Sequence, residues 1–159
     1  EEFSYGGEAG EIMDIQIHDS NGNATCNLKS GEMFIVGFKA KAHTQIQSPI
    51  FALTIRNKRG QDIYGNNTLF AKKDTANLLP NDTVEVTFQQ AANLAVGEYL
   101  ISLGFTRFEG VDLQVIHRKY DIIKLNITSS DGSFGIANCH SKIKCTNPKN
   151  EDLHSTKKH

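Results

Sequence analysis

The sequence predicts an all-β fold, an antiparallel sandwich of strands. Three observations carry this prediction. About eight short segments alternate apolar and polar residues with a period of two, which is the pattern of half-buried strands. Clusters of Gly, Asn, Asp and Ser interrupt these segments every dozen residues or so, and no segment shows helical periodicity. The length of 159 residues suits one domain of ordinary size.

The predicted strands follow one another along most of the chain. The first begins at Gly10 and ends before the turn signal at 19–23. The clearest pair flanks the tight turn 57–60, in which Gly60 can take the positive φ that such a turn often needs. The two strands of this pair lie near 51–56 and 63–64, and the remaining predicted strands lie near 26–28, 33–42, 83–89, 97–106, 119–128 and 134–137.

One sandwich domain is expected between two polar ends. Residues 1–9 are polar and glycine-bearing, so they are predicted to be a linker, and residues 10–137 form the sandwich. Within it, residues 129–137 place a short apolar strand behind a Gly- and Ser-containing segment. Residues 138–159 are predicted to be a polar tail. Because the chain begins with Glu1 rather than Met, we expect a fragment of a longer protein or a processed product.

Composition and motifs argue against several classes of function. The formal net charge is −1, so there is no basic field that would indicate nucleic-acid binding. No apolar run approaches the roughly 20 residues that span a bilayer, so no membrane insertion is expected. The chain has neither a Gly-x-Ser-x-Gly nucleophile motif nor a phosphate-binding Gly-x-x-x-x-Gly-Lys loop. We therefore expect no enzymatic activity and no cofactor.

The three cysteines do not form a recognisable metal site. Cys139, His140 and Cys145 lie close in sequence, but their spacing matches no tetrahedral zinc pattern, so no metal is expected. An odd number of cysteines favours reduced thiols in a cytosolic protein. Glycosylation sequons point the other way and keep a secreted β-sandwich lectin open as an alternative. They begin at Asn23, Asn66, Asn81 and Asn126.

A candidate binding site is predicted on the outward face of the middle strands. Small side chains there would leave a shallow trough, and larger polar and aromatic groups surround it. A sugar requires such a surface, with a ring for its apolar face and planar polar groups for its hydroxyls. An ordinary solvated sheet face is the competing interpretation, and composition alone favours it. The candidate carbohydrate-binding residues are Thr54, Arg56, Tyr64, Asn66, Asn67, Ser102, Thr106, Tyr120 and Lys124.

Several segments of the chain resemble one known family. Residues 49–56 (PIFALTIR) and 60–68 (GQDIYGNNT) resemble the signature hairpin of the Wzt C-terminal domain. That domain is the carbohydrate-binding part of the ATP-binding subunit of O-antigen polysaccharide ABC exporters. The resemblance covers nearly all of residues 4–137 and includes further short pieces in the same order. These pieces are 10–12, 19–22, 30–32, 94–99 and 133–136.

The resemblance implies an immunoglobulin-like sandwich that recognises a finished, lipid-linked O-polysaccharide before export and catalyses no reaction. It also implies homodimers that exchange a C-terminal strand, for which residues 129–137 are the candidate. The location it implies is cytoplasmic, at the bacterial inner membrane, beside the ATPase domain and the transmembrane subunit of the exporter.

Two departures from the family pattern stand out. Ala52 and Asn67 lie where the commonest form of the motif has Gly and Thr, and the chain lacks Trp. Any stacking on a sugar must therefore use Tyr or Phe. The alternative within the same resemblance is a dimerisation module of the ATPase subunit that has no sugar site of its own.

Overall fold

Two antiparallel sheets enclose one core in the computed structural model, which describes residues 3–148. The larger sheet has six strands and the smaller sheet has three. Buried and partly exposed side chains alternate along the strands, most regularly in the fourth and fifth, and this confirms the predicted all-β sandwich. The strands are β1 (Phe3–Gly6), β2 (Gly10–Asp19), β3 (Asn27–Lys29), β4 (Met33–Ala42), β5 (Ile50–Asn57), β6 (Asp62–Asn67), β7 (Thr83–Ala91), β8 (Gly97–Glu109) and β9 (Asp112–Ser129).

The strand order places β8 and β5 in the middle of the larger sheet. That sheet has the order β1-β9-β8-β5-β6, with β3 pairing in parallel with β9, and the smaller sheet has the order β2-β4-β7. The predicted turn between β5 and β6 is present: the N–H of Gly60 donates to the carbonyl of Asn57 at 3.0 Å, and Gly60 has a φ of 81°. Only glycine takes such a φ without steric cost.

The core lies between the inward faces of the two sheets. Phe51, Leu53 and Ile55 of β5 are all buried, as their alternation predicts. The ring of Phe51 meets the ring of Phe38 from the smaller sheet edge to face, with centroids 6.1 Å apart. Burying an apolar side chain of this size contributes about 1.5–3 kcal/mol. Core packing therefore fixes the strand faces, and the opposite faces of β5 and β8 are left to point outward.

The N-terminal segment is not the predicted linker. Residues 3–6 form β1, which pairs antiparallel with residues 117–120 of β9. Because all four residues are exposed, the segment shows no alternation of buried and solvated positions. Its signal in the sequence is limited to the two aromatic residues Phe3 and Tyr5. Residues 1–2 of the predicted linker lie outside the described residues.

Residues 130–148, which follow β9, form no regular strand of their own. Residues 134–137 are irregular apart from one antiparallel bridge between Ala137 and Leu94. The side chain of Phe134 is 97% exposed. Exchange of residues 129–137 with a second copy stays a prediction.

The predicted polar tail begins with a buried residue. Asn138 is 2% exposed, and its side-chain N–H donates to Ser30 Oγ at 2.9 Å. Its Oδ1 accepts from the backbone N–H of His140 at 3.0 Å. The start of the tail is therefore attached to the sandwich, and residues 149–159 of the predicted tail lie outside the described residues.

Candidate functional site

The outward face of the larger sheet carries a groove with a floor of small residues. In the register of β5 and β8, Ala52 lies opposite Gly104, and Thr54 lies opposite Ser102. A Cβ atom added at Gly104 would lie 3.4 Å from the Cβ of Ala52, so the floor is closely packed. The groove has a volume of about 240 Å³. Its lining residues are Ala52, Thr54, Arg56, Asp62, Ser102, Leu103, Gly104, Arg118 and Tyr120.

A bulge in β9 shapes one wall of the groove. The register of β8 and β9 shifts around Ser102, so that residues 120–122 lie opposite this single residue. Asp121 is at the centre of the bulge with a φ of 50°, and its N–H donates to Ser102 Oγ at 2.9 Å. Bulges re-aim side chains relative to a regular strand. Here the bulge lets Tyr120 line the groove while the next residue, Asp121, reaches Arg56.

Arg56 and Asp121 close one end of the groove with an ion pair. Arg56 Nε donates to Asp121 Oδ1 at 2.7 Å, and Arg56 Nη2 donates to Oδ2. This two-point contact fixes the plane of the guanidinium. The hydrogen bonding and then the charge of Asp121 raise the pKa of Arg56 above its ordinary value. The two side chains are 38% and 27% exposed, so the pair orients these groups more than it stabilises the fold.

The other end of the groove is lined by Arg118 and Tyr120, beside the N-terminal strand. Arg118 Cζ lies 5.9 Å from the ring centroid of Tyr120, within the range of a cation–π interaction. The ring of Phe3 lies 5.1 Å from that of Tyr120 in a tilted arrangement. Tyr5 lies opposite Arg118 in the register of β1 and β9 and is 60% exposed. Exposed aromatic rings therefore border the groove on the β1 side.

The structure brings four of the nine predicted site residues together. Thr54, Arg56, Ser102 and Tyr120 all line the groove. They come from three different strands, and the register of β5, β8 and β9 puts them side by side. Their proximity gives the predicted site a physical basis, and their role in binding stays a prediction.

Tyr64 and Thr106 do not belong to the groove, for two different reasons. A register shift between Ile55 and Arg56 places Tyr64 opposite Ile55, and its side chain lines a separate pocket with Leu94. Thr106 lies on the outward side of β8, as the alternation predicts, but its side chain is buried, with an exposure of only 3%. The structure therefore does not bring either residue into one trough with Arg56.

Lys124 and the two asparagines also lie outside the groove. Lys124 Nζ pairs with Glu98 Oε1 at 3.2 Å instead of lining the floor. Asn66 Oδ1 accepts from the N–H of Asn67 at 2.9 Å, and Asn67 Oδ1 accepts from the N–H of Phe70 at 2.8 Å. Both amides therefore hold the turn that follows β6, and neither lines the groove.

The sequence interpretation missed Arg118, and a signal for it was available. The predicted strand began near residue 119, whereas β9 starts at Asp112. Extending the period of two backward from Tyr120 puts Arg118 on the same face. The sequence contains no comparable signal for Asp121 and Asp62. Their positions beside Arg56 depend on two register shifts, one in β9 and one in β6.

Other chemistry is sparse in the described part of the chain. Within residues 3–148, no group of three or more His, Cys, Asp or Glu side chains is arranged to hold a metal ion. Cys26, Cys139 and Cys145 are free thiols at exposed positions. The same residues include no helix with the length and apolarity needed to cross a membrane.

The chain matches a known domain family over most of its length. The sequence profile of the family described as Wzt C-terminal domain matches residues 1–139. The chain belongs to the Wzt C-terminal domain family. The match confirms the resemblance carried by the β5–β6 hairpin. Wzt C-terminal domains are non-catalytic binding domains, which confirms that the chain is not an enzyme.

A solved structure agrees with this assignment at the level of the fold. A crystal structure of the C-terminal domain of Wzt is similar with a TM-score of 0.85 and 21% sequence identity, over 92% of this chain and 89% of that chain. A β-glucosidase, EmGH1 from Erythrobacter marinus, has a TM-score of 0.45 and 11% identity over 75% of this chain and 15% of its own. A CARDB domain from Pyrococcus furiosus has a TM-score of 0.42 and 13% identity over 79% of this chain and 100% of its own. No curated protein matches the chain.

Proposed function

We propose that this domain binds the lipid-linked O-polysaccharide of a bacterial ABC exporter before export, and that the groove on the larger sheet is its glycan site. Membership in the Wzt C-terminal domain family supports a carbohydrate-binding role in such a transporter. The observation that carries the choice of site is the groove itself. A floor of small residues, two hydroxyls, an aromatic ring and an oriented guanidinium converge there.

The chemistry of the groove suits a pyranose. The ring of Tyr120 offers an apolar face on which the axial C–H groups of a sugar can stack. Thr54 and Ser102 contribute hydroxyls, which both donate and accept hydrogen bonds. The Arg56–Asp121 pair presents a fixed donor plane beside an acceptor. Such paired donors and acceptors match the alternating needs of vicinal sugar hydroxyls.

The size of the groove suits part of a long chain rather than a whole small ligand. Its volume of about 240 Å³ falls below the roughly 300–1,000 Å³ of pockets that enclose small molecules. An open groove of this size accommodates one or two sugar units while the rest of the polysaccharide extends into solvent. We therefore propose recognition of a short part of the glycan.

The proposed partners are those of an exporter subunit. We place the domain at the cytoplasmic face of the bacterial inner membrane, held there through the ATPase domain and the transmembrane subunit. The family assignment supports these partners. The domain itself contributes a binding surface to the complex and no catalytic group.

We further propose that the domain forms a homodimer by exchange of residues 129–137. Phe134 is 97% exposed, so its ring is available to a second copy, while the end of the segment bridges to its own chain at Ala137 and Leu94. Met33, 41% exposed on the outward face of the smaller sheet, is an apolar position that a partner segment would cover.

The binding site is tested by titrating the domain with O-polysaccharide purified from the strain that encodes it. An Arg56→Ala, Tyr120→Ala double variant should lose at least about tenfold in affinity. The matched control is Arg107→Ala, Phe108→Ala, an arginine and an aromatic residue at the far end of β8. Absence of binding by the unmodified domain, or equal binding by the first double variant, would refute the site.

The dimer is tested by truncation after Ser130 and light scattering. Dissociation with retained glycan binding is the expected result. If dimers dissociate and the unmodified domain binds no polysaccharide, the domain is a dimerisation module of the exporter instead.

A further inference from the structure

The two arginines of the groove differ in their partners. Arg56 is engaged at two points by Asp121. Arg118 has no carboxylate and no hydrogen-bond acceptor among residues 3–148, and its one contact of this kind is the face of the Tyr120 ring. Arg118 is nonetheless only partly exposed and lines the groove. A guanidinium is always charged and carries five N–H donors. The groove therefore contains a cation whose N–H donors are available to a ligand.

We propose that Arg118 binds an anionic substituent of the glycan, a carboxylate or a phosphate on the sugar unit that stacks on Tyr120. This inference rests on the proposed function and specifies the ligand class of the same groove: an acidic rather than a neutral sugar unit. Arg56, already neutralised by Asp121, positions the neutral hydroxyls. Arg118 is the residue that determines specificity.

The floor of the groove leaves room for this contact. Gly104 of β8 lies between Ala52 of β5 and Arg118 of β9 in the register of the sheet. This cross-strand row therefore contains a guanidinium and the two smallest residue types. A Cβ atom at Gly104 would lie 3.8 Å from Arg118 Nε. The guanidinium therefore reaches over the glycine. An anion lying on the floor at this point meets the N–H edge of Arg118 with no bulky side chain between them.

The acidic groups of the groove are engaged with Arg56. Asp62 and Asp121 both act on Arg56. Arg118 lies in the same cross-strand row as Ala52 of β5. The backbone positions of Ala52 and Arg56 are four residues apart, which corresponds to about 13 Å along the strand. Among residues 3–148, no ion pair joins either carboxylate to Arg118, and Asp121 is bound at two points by Arg56.

A planar cation also gives the contact its geometry. Carboxylates and phosphates accept two parallel N–H donors from one guanidinium, and such charge-assisted hydrogen bonds are stronger than those to neutral groups. The contact with the Tyr120 ring holds Arg118 beside the surface on which the sugar ring would stack. One sugar unit can thus satisfy the aromatic ring with its C–H face and Arg118 with its acidic substituent.

The test compares three forms of the O-polysaccharide from the encoding strain: native, carboxyl-reduced and dephosphorylated. Calorimetric titration of the 159-residue chain should show binding to the native form. Binding should weaken about tenfold with whichever treatment removes the anion, and this identifies carboxylate or phosphate. Arg118→Gln should bind native polysaccharide about tenfold more weakly and show no further loss with the treated form. Arg59→Gln, the same change at an exposed turn position, should bind like the unmodified chain.

The outcomes separate this inference from the function on which it rests. If all three polysaccharides bind equally, or if Arg118→Gln binds as tightly as the unmodified chain, the anion contact is refuted and the glycan site stands. If the native polysaccharide does not bind at all, the proposed function itself fails. A salt titration adds an independent readout, because the affinity of the unmodified chain should fall with ionic strength more steeply than that of Arg118→Gln.

Discussion

Filling the floor of the groove should abolish tight glycan binding while leaving the fold intact. In Gly104→Val the new Cβ would lie 3.4 Å from the Cβ of Ala52 and 3.8 Å from Arg118 Nε. The two methyl groups extend roughly 1.5 Å further. They therefore occupy the space above the floor and displace the guanidinium of Arg118.

Gly104→Val is expected to change the glycan affinity much more than the free energy of unfolding. Loss of one charge-assisted contact costs about 1.5–3 kcal/mol, which corresponds to roughly a 10- to 150-fold weaker affinity. Gly104 does not have the left-handed φ that would strain a larger residue, and valine favours strands on a scale that spans about 1 kcal/mol. The free energy of unfolding in urea should therefore change by no more than about 1 kcal/mol.

The smaller sheet supplies a matched control. Gly37 is in β4, the central strand of that sheet, and an added Cβ there would meet its nearest atoms, from Thr87 and Val86, at 3.7 Å. Gly37→Val should keep the affinity of the unmodified domain in the same calorimetric titration. Equal affinity in Gly104→Val and the unmodified domain would refute the assignment of the groove as the glycan site.

Three further predictions follow from individual contacts. Deleting residues 1–6 removes β1 with Phe3 and Tyr5, and glycan affinity should fall severalfold in the calorimetric titration, whereas an unchanged affinity would show that β1 plays no part. Asn138→Ala removes a buried donor to Ser30 Oγ and should lower the free energy of unfolding in urea by about 1–3 kcal/mol; no change would mean that the contact is immaterial. Hydrogen bonds from Lys58 and Lys124 lower the pKa of Glu98 below its ordinary value of 4.5. The ionised Glu98 therefore stabilises the fold above pH 4.5, and this stabilisation is lost as the pH falls through the pKa of Glu98 in the folded state. Glu98→Gln should therefore unfold with a weaker acid dependence than the unmodified domain, and superimposable pH profiles would contradict this.

The sequence predicted the sandwich because its strands are buried on one side. The alternation runs along the whole of β4 and through residues 51–56 of β5, and packing follows it. The small floor of the groove follows from the same alternation, since Ala52, Thr54, Ser102 and Gly104 share the outward phase. These parts of the account require only the period of two.

The other features of the candidate site depend on places where the period-two alternation of the strands is interrupted. The bulge at Asp121 and the shift beside Arg56 each change which residues share a face, and neither is signalled by glycine or proline in the sequence. Tyr64 was misplaced for this reason. The partnership of Arg56 with Asp121 joins residues 65 positions apart, and no local pattern indicates such a pair.

The strand β1 shows a different limit of sequence reading. Its four residues are exposed, so neither burial nor alternation distinguishes it from a linker. Only pairing with β9 makes it a strand, and that pairing is a property of the folded sheet. Edge strands of this kind gain their order from hydrogen bonds to a neighbour rather than from a core face.

The central claim is that glycan binds on the outward face of the larger sheet, and mapping of NMR chemical-shift changes tests it most directly. Titration of the isotope-labelled domain with O-polysaccharide from the encoding strain should move the amide signals of residues 52–56, 102–104 and 118–121. Residues 33–41 of the smaller sheet should stay unchanged. Shifts concentrated on the smaller sheet, or none at saturating polysaccharide, would contradict the account.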